Sequence, residues 1–196
     1  LRVVMAIYNG INHLAMVTND MDSTIRYWRD LLGMRLVVGL GRDGYRHYFF
    51  EISKTDLIAF FEWPHVEKIE MKDHGVPVKG PAAFDHVSIG VEKIADLIEI
   101  KKKLSAAEFW VSEMVDHGFI YSIYSFDPNH IPVEFSFNVP DADIRKEPRM
   151  RDKQPSRITL EGSEPQQGKW PSPDGNIDDA DSFTIYPGEG KTIMGD

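Results

Sequence analysis

Short apolar runs and one amphipathic stretch follow each other in the same order twice along this chain. In the first half, the short apolar run at residues 11–17 predicts a β-strand. Apolar residues spaced three to four apart then predict a helix over about 22–32, capped by Asp20 or Asp22 and ended by Gly33. Three strand-like runs follow. They are Arg35–Leu40, Arg46–Ile52 and Asp56–Glu62.

The second half repeats this order after a linker at residues 64–83 that is rich in proline and glycine. The predicted strand, helix and three strands are Phe84–Gly90, Glu92–Ala107, Glu108–Val115, Phe119–Phe126 and Ile131–Phe137. A repeated order of elements indicates a duplicated module. We therefore predict an α+β fold in which two paired βαβββ modules, residues 9–70 and 84–138, form a curved mixed sheet.

The remaining residues, 139–196, differ in character from both modules. They contain many prolines and charges and few apolar positions, which is typical of segments that lack a core of their own. We expect this extended tail to pack on the body of the protein or on a partner subunit through a few apolar anchors. The predicted anchors are Ile158, Leu160, Trp170, Phe183, Ile185 and Tyr186.

Composition narrows the classes of protein to which the chain can belong. The apolar fraction of 42% and the charged fraction of 27% are typical of a soluble globular protein. The absence of cysteine excludes disulfides, thiolate metal sites and a cysteine nucleophile. A net charge of −9 without a basic face argues against nucleic-acid binding. No apolar run is long enough to span a membrane and no secretory signal is evident, so we expect a cytoplasmic protein.

Two histidines and two glutamates occupy matched positions in the two modules. Glu62 follows His13 by 49 residues, and Glu134 follows His86 by 48. Imidazole and carboxylate groups bind divalent transition metals, and an unpaired carboxylate would be costly to bury in a sheet. The pattern predicts a cup around one such ion, with His13, Glu62, His86 and Glu134 as ligands. The smaller set of His13, His86 and Glu134 is the alternative.

Short motifs in both modules resemble those of the vicinal oxygen chelate superfamily, over about residues 9–138. They are Ile11-Asn12-His13-Leu14-Ala15, Tyr27-Trp28-Arg29-Asp30-Leu31-Leu32-Gly33-Met34, Phe84-Asp85-His86-Val87, Phe126-Asp127-Pro128-Asn129 and Val133-Glu134-Phe135. The resemblance implies one divalent metal ion, a small-molecule substrate and assembly as a homodimer or higher homo-oligomer. This chain departs from the superfamily at His130, where the last turn usually has glycine.

Resemblance to glyoxalase I-like enzymes implies the four-ligand site. Those enzymes bind Ni, Co or Zn through a His or Gln and a Glu from each module, which His13, Glu62, His86 and Glu134 match. Glu62 would then also move a proton of the substrate, a thiol adduct of an α-ketoaldehyde.

Resemblance to type I extradiol dioxygenases implies the three-ligand site with Fe(II) or Mn(II). Those enzymes have a catalytic tyrosine ten residues before the ligand glutamate, as Tyr124 precedes Glu134, and a histidine before it, for which His117 is the counterpart. They place another catalytic histidine where this chain has Glu62. The Tyr124 and His117 matches slightly favour ring cleavage over isomerisation. A metal-free small-molecule or antibiotic-binding protein of the same fold is a third alternative.

Overall fold

The described strands of the protein all lie in the first of its two units, Leu1–Ala142, and the second unit is Asp143–Asp196. This computed structural model describes residues 10–77, 84–148, 152–166, 168–170, 184–188 and 190–191. No helix within those ranges is long and apolar enough to cross a membrane.

The first module contains a strand, a helix and three strands, as the sequence predicts. They are β1 (His13–Thr18), α1 (Met21–Ile25) with a π-helical continuation (Arg26–Leu31), β2 (Leu36–Arg42), β3 (Tyr45–Glu51) and β4 (Leu57–Glu62). Asp20 caps α1, because its carboxylate accepts a hydrogen bond from the Ser23 N–H at 3.0 Å. The π-helical turn places Tyr27 and Trp28 in the core, where both are buried.

The second module has the same order, which confirms the predicted pair of βαβββ modules. Its elements are β5 (Val87–Val91), α2 (Ile94–Ala106), β6 (Val115–Asp116), β7 (Ile120–Phe126) and β8 (Pro132–Asn138). The predicted strand Glu108–Val115 is wrong for most of its length, because β6 shares only Val115 with it and an isolated bridge at Val111 is the other strand-like pairing in that range. Side chains replace part of its ladder, since Ser112 Oγ accepts from the Tyr124 N–H and Ser125 Oγ donates to the Trp110 carbonyl.

Each module forms its own four-stranded sheet, in the orders β1-β4-β3-β2 and β5-β8-β7-β6. β1 pairs with β4, and β5 with β8, in parallel, whereas the other pairs are antiparallel. One face of each sheet is buried against its helix, and the opposite, concave face is more exposed. The strand orders place β1 and β5 each at one edge of its sheet, among the described strands.

Buried polar side chains join the first helix to the last turn of the second module. Thr18 Oγ1 donates to Asn129 Oδ1 at 2.6 Å, and Asn129 Nδ2 donates to Thr24 Oγ1 at 3.2 Å. Trp28 Nε1 donates to Asp127 Oδ2 at 3.3 Å, and burial raises the pKa of that carboxyl. The two modules are thus docked by hydrogen bonds as well as by apolar contact.

The last turn accommodates His130 in place of the superfamily's usual glycine. The residue adopts the left-handed conformation, with φ of 66°, which is strained for a side chain with a Cβ. Its Nδ1 lies 3.1 Å from the carbonyl oxygen of Ile69, and this contact ties the turn to the linker.

Replacing Asn129 with leucine is expected to lower the free energy of unfolding by about 2 kcal/mol, because buried hydroxyls lose their amide partner. Denaturant titration measures the change. Asn138→Leu, at the exposed end of β8, is the matched control and is expected to stay within about 0.5 kcal/mol of the parent protein. Equal losses in the two variants would contradict a docking role for Asn129.

The described part of the second unit contains one short 3₁₀ turn, Thr159–Glu161. Five of the predicted anchors, Ile158, Leu160, Trp170, Ile185 and Tyr186, are each at least 70% exposed. Phe183 lies outside the described residues, as do residues 78–83 of the linker. Packing of the tail on a body or a partner stays a prediction.

Candidate active site

Three of the predicted site residues meet on the concave face of the second sheet. Glu134 on β8 lies directly opposite Tyr124 on β7 and beside Ser88 on β5. His86 immediately precedes β5 and, two residues before Ser88, faces the same way. The alternate residues of these strands, such as Val133 and Phe135, pack in the core. Strand alternation therefore brings the polar groups together by sending the apolar ones to the helix.

His86 and Glu134 are in direct contact. The distance from His86 Nε2 to Glu134 Oε2 is 3.0 Å, and Glu134 is only 4% exposed. Burial raises the pKa of Glu134, but the hydroxyls of Ser122 and Ser88 and the imidazole of His86 lower it by more, so it lies below its usual range. Two ligand atoms bound at about 2.0–2.2 Å to one ion at a right angle are themselves about 3 Å apart. The pair therefore fits two neighbouring positions on a divalent ion.

The other nitrogen of His86 contacts Asp85. Nδ1 lies 2.7 Å from Asp85 Oδ1, which also accepts from the Gly75 N–H at 3.0 Å. The second oxygen of Asp85 accepts from Lys72 Nζ at 2.9 Å. Hydrogen bonds from His86 and Lys72 hold the pKa of Asp85 well below its usual range.

Tyr124 connects the pair to two further histidines. Its hydroxyl lies 2.7 Å from His117 Nε2, and burial together with nearby Glu134 raises its pKa. The ring of His74, from the linker, lies 4.6 Å from the ring of Tyr124 and 5.5 Å from that of His86. Burial, followed by the proximity of His86, lowers the pKa of His74.

Sequence reasoning missed both His74 and Asp85. The adjacency of Asp85 to His86 was a usable signal, since histidine ligands are commonly held by a carboxylate. Nothing in the irregular linker indicates which way His74 faces.

His13 lies apart from the His86–Glu134 pair. It is exposed on the concave face of the first sheet, where Nδ1 is 2.9 Å from Asn12 Oδ1 and the ring is 5.4 Å from that of Phe49. No group of three or more histidines and carboxylates within the described residues is arranged to hold a metal ion. One chain therefore does not assemble the predicted ligand set.

Glu62 points away from His13, so the structure does not show the predicted association of these two residues. His13 pairs with Leu57 in the parallel register, and Glu62 is five positions further along β4, on the opposite face. Its carboxylate accepts from Arg46 Nη2 at 2.7 Å and from the Met21 N–H at 2.8 Å. Glu62 thus anchors the start of α1.

Aromatic side chains cover much of the concave face of the first sheet. The aromatic strip consists of Tyr45, His47, Phe49, Phe61 and Trp63. His47 stacks on Phe61 at 3.6 Å between ring centroids, and the rings of Phe61 and Trp63 are parallel within 3°. Trp63 remains 43% exposed. The strip presents flat apolar surface, whereas the second sheet presents polar and ionisable groups.

An apolar cavity of about 330 Å³ borders β1. Asn19, linker residues 66–69, Phe84, Asn129 and Ile131 complete its lining, and none of the predicted site residues is among them. The cavity is therefore separate from the His86–Glu134 pair.

Two βαβββ modules with concave faces, one of which carries a partly buried histidine–carboxylate pair, define a protein of the paired βαβββ class. The sequence agrees, because the family model described as Glyoxalase/Bleomycin resistance protein/Dioxygenase superfamily matches residues 10–135. The chain belongs to this superfamily.

Solved structures share the fold at low sequence identity. A glyoxalase/bleomycin resistance protein/dioxygenase domain from Frankia sp. is 19% identical with a TM-score of 0.57, covering 67% of this chain and 99% of that one. A glyoxalase/dioxygenase from Nostoc punctiforme is 13% identical with a TM-score of 0.54, covering 71% and 99%. Lactoylglutathione lyase from Agrobacterium tumefaciens is 22% identical with a TM-score of 0.50, covering 67% and 96%. A comparison with curated proteins finds no match.

Proposed function

We propose that this protein is a metal-dependent enzyme that binds two adjacent oxygens of a small substrate to one divalent ion. His86 and Glu134 of one copy and His13 of a second copy hold the ion. The observation that carries the proposal is the 3.0 Å contact between His86 Nε2 and the buried Glu134 Oε2. A buried carboxylate is stabilised by a cation, and imidazole and carboxylate together suit a transition metal.

The need for a second copy follows from the position of His13. His13 is exposed and is not grouped with two other ligands in one chain, within the described residues. β1, which begins at His13, and β5, which begins just after His86, both lie at sheet edges. Edge strands are the usual places for pairing between chains, and symmetric dimers are the commonest assemblies. Apposition of β1 and β5 from two copies would bring His13 to His86.

Among the reactions open to this site, we favour ring cleavage of an aromatic diol by dioxygen. Glu62 is engaged by Arg46 on the far side of its sheet, which supports the three-ligand set. Two histidines and one carboxylate leave open positions and are typical of Fe(II) oxygenases. When bound, the ion supplies positive charge and places for the substrate oxygens and dioxygen. The reaction breaks one ring C–C bond and adds both oxygen atoms.

The protein's own residues supply positioning and proton transfer around the substrate. His74 Nε2 is buried without a hydrogen bond to any described residue, so it is available to accept a proton from a substrate hydroxyl. Tyr124, paired with His117, is placed to hydrogen-bond a substrate oxygen. In the proposed assembly the aromatic strip of the second copy lines the same cup and stacks on the flat ring.

The decisive experiment loads the protein anaerobically with Fe(II) and then adds catechol or 2,3-dihydroxybiphenyl in air. The proposal expects oxygen uptake, a yellow ring-opened product and one ion per chain by elemental analysis. His86→Ala is expected to lose all three, whereas His65→Ala, an exposed histidine, retains them.

Three results would change this conclusion in different ways. Turnover of a methylglyoxal–thiol adduct with Ni or Zn, without oxygen uptake, would favour a glyoxalase I-like lyase or isomerase. Small-molecule binding without any bound metal would favour a binding protein of this fold. Unchanged metal content in His86→Ala would overturn the proposed site.

A further inference from the structure

We propose that Asp85 is a positioning residue that fixes the ring orientation and tautomer of His86, and that the linker segment Lys72–Gly75 holds Asp85 in place. The inference rests on the proposed function only in naming a metal as the group that His86 binds. A continuous chain of contacts carries it, from Lys72 and Gly75 through Asp85 and His86 to Glu134.

The first step concerns the two nitrogens of His86. Nδ1 lies 2.7 Å from Asp85 Oδ1, and Nε2 lies 3.0 Å from Glu134 Oε2. A carboxylate accepts but does not donate, so Asp85 holds a proton on Nδ1, and in the absence of an ion Glu134 can accept one from Nε2. An ion beside Glu134 takes the place of that Nε2 proton and meets the Nε2 lone pair. Only an imidazole that keeps its proton on Nδ1 offers Nε2 to such an ion.

The second step concerns the orientation of Asp85 itself. The residue is 42% exposed in its side chain, and solvent alone would leave its rotamer undetermined. Two donors fix it instead, because Gly75 N–H binds the oxygen that faces His86 and Lys72 Nζ binds the other. Both oxygens are thus engaged by the linker, which precedes Asp85 by only ten to thirteen residues.

The third step explains why the segment contains glycine. Gly75 adopts φ of 69°, a left-handed conformation that residues with a Cβ rarely take. Nothing lies within 4 Å of the position that a Cβ would occupy, so crowding is not the reason for glycine there. The requirement is the backbone conformation that directs the N–H at Asp85. The same segment places the ring of His74 beside His86 and Tyr124.

The test uses the full-length protein without metal and with Co(II) or Zn(II) as the probe. Two-bond ¹H–¹⁵N spectra of ¹⁵N-histidine-labelled protein report the tautomer, and metal titration reports affinity. In the metal-free parent protein we expect Nδ1 of His86 to carry a proton. Asp85→Ala is expected to shift the imidazole toward the tautomer with its only proton on Nε2, beside Glu134, and to weaken metal binding by about 10–100-fold.

Three further variants separate positioning from folding. Asp85→Asn keeps an acceptor oxygen for His86 and is expected to retain the tautomer with a smaller loss of affinity. Lys72→Met removes one support of Asp85 and is expected to weaken metal binding by less than Asp85→Ala. Glu70→Ala, which removes an exposed carboxylate of the linker outside Lys72–Gly75, is the matched control and is expected to change neither readout.

The inference and the proposed function fail in distinguishable ways. An unchanged tautomer and unchanged affinity in Asp85→Ala would overturn the positioning role, whatever the reaction. If Asp85→Ala does not fold, equal affinities in Lys72→Met, Asp85→Asn and the parent protein would overturn it. If Asp85→Ala shifts the tautomer but the parent protein binds neither Co(II) nor Zn(II), the positioning role of Asp85 would stand and the proposed metal-dependent function would be rejected.

Discussion

Glu134→Gln is expected to weaken metal binding by more than about 100-fold, since loss of an outer hydrogen-bonding partner alone already costs about 10–100-fold. The glutamine keeps the shape of the side chain and an acceptor oxygen but removes the negative charge. That charge lies 3.0 Å from His86 Nε2 at a residue only 4% exposed, where little solvent screens it. Elemental analysis and titration with Co(II) measure the loss.

The fold is expected to survive this substitution, because a neutral amide is easier to bury than a carboxylate. Circular dichroism and denaturant unfolding of the metal-free protein check that expectation. Glu113→Gln is the control, since its carboxylate is 94% exposed and contacts only the side chain of Lys101 among the ion pairs of the described residues. Full metal affinity in Glu134→Gln would remove the main support for the proposed function.

The second large effect is expected in the first module. Arg46→Met leaves the carboxylate of Glu62, a residue only 8% exposed, without its guanidinium partner. Breaking a buried ion pair from one side costs about 3–5 kcal/mol, and the partial exposure of Arg46 reduces this to about 2–4 kcal/mol of unfolding free energy. Denaturant titration measures the loss, and replacing both residues together, Arg46→Met with Glu62→Leu, is expected to recover part of it.

Glu62→Gln tests whether Glu62 is a ligand of the metal ion. Glu62 lies on the face of its sheet opposite His13, so its replacement is expected to leave the affinity for Co(II) unchanged. Release of the ion from Glu62→Gln would restore the four-ligand site and with it the isomerase interpretation.

Much of the fold was predictable, because apolar periodicity records which face of each element is buried. The duplicated order of elements, the cap at Asp20 and the shared face of His86 and Ser88 all follow from local pattern, and the structure agrees with each. The loss of most of the third strand of the second module was not predictable, since Ser112 Oγ accepts from the Tyr124 N–H and Ser125 Oγ donates to the Trp110 carbonyl in place of part of its ladder.

The site was predictable only in part, because the spacing between histidine and glutamate differs by one residue between the two modules. Glu134 follows His86 by 48 residues, and Glu62 follows His13 by 49. In both modules the parallel partners are an even number of residues apart, as in Ser88 with Glu134 and His13 with Leu57. An even spacing therefore keeps histidine and glutamate on one face, and an odd spacing separates them.

The roles of His74 and Asp85 depend on contacts that no periodic pattern encodes. His74 reaches the site because the linker folds back over the second sheet, and Lys72 of the same linker holds Asp85 beside His86. His13 is a different case. Its local pattern indicated a ligand, but the partner groups it needs lie beyond reach in the same chain, within the described residues.

The placement of β1 and β5 at separate sheet edges has a genetic consequence if the proposed assembly holds. A chain with a defective His13 still contributes a sound His86 and Glu134, and a chain with a defective Glu134 still contributes a sound His13. Two inactive alleles expressed together would then rebuild one working centre in each mixed dimer, which is intragenic complementation. Two alleles damaged on the same side of the site would not rescue each other.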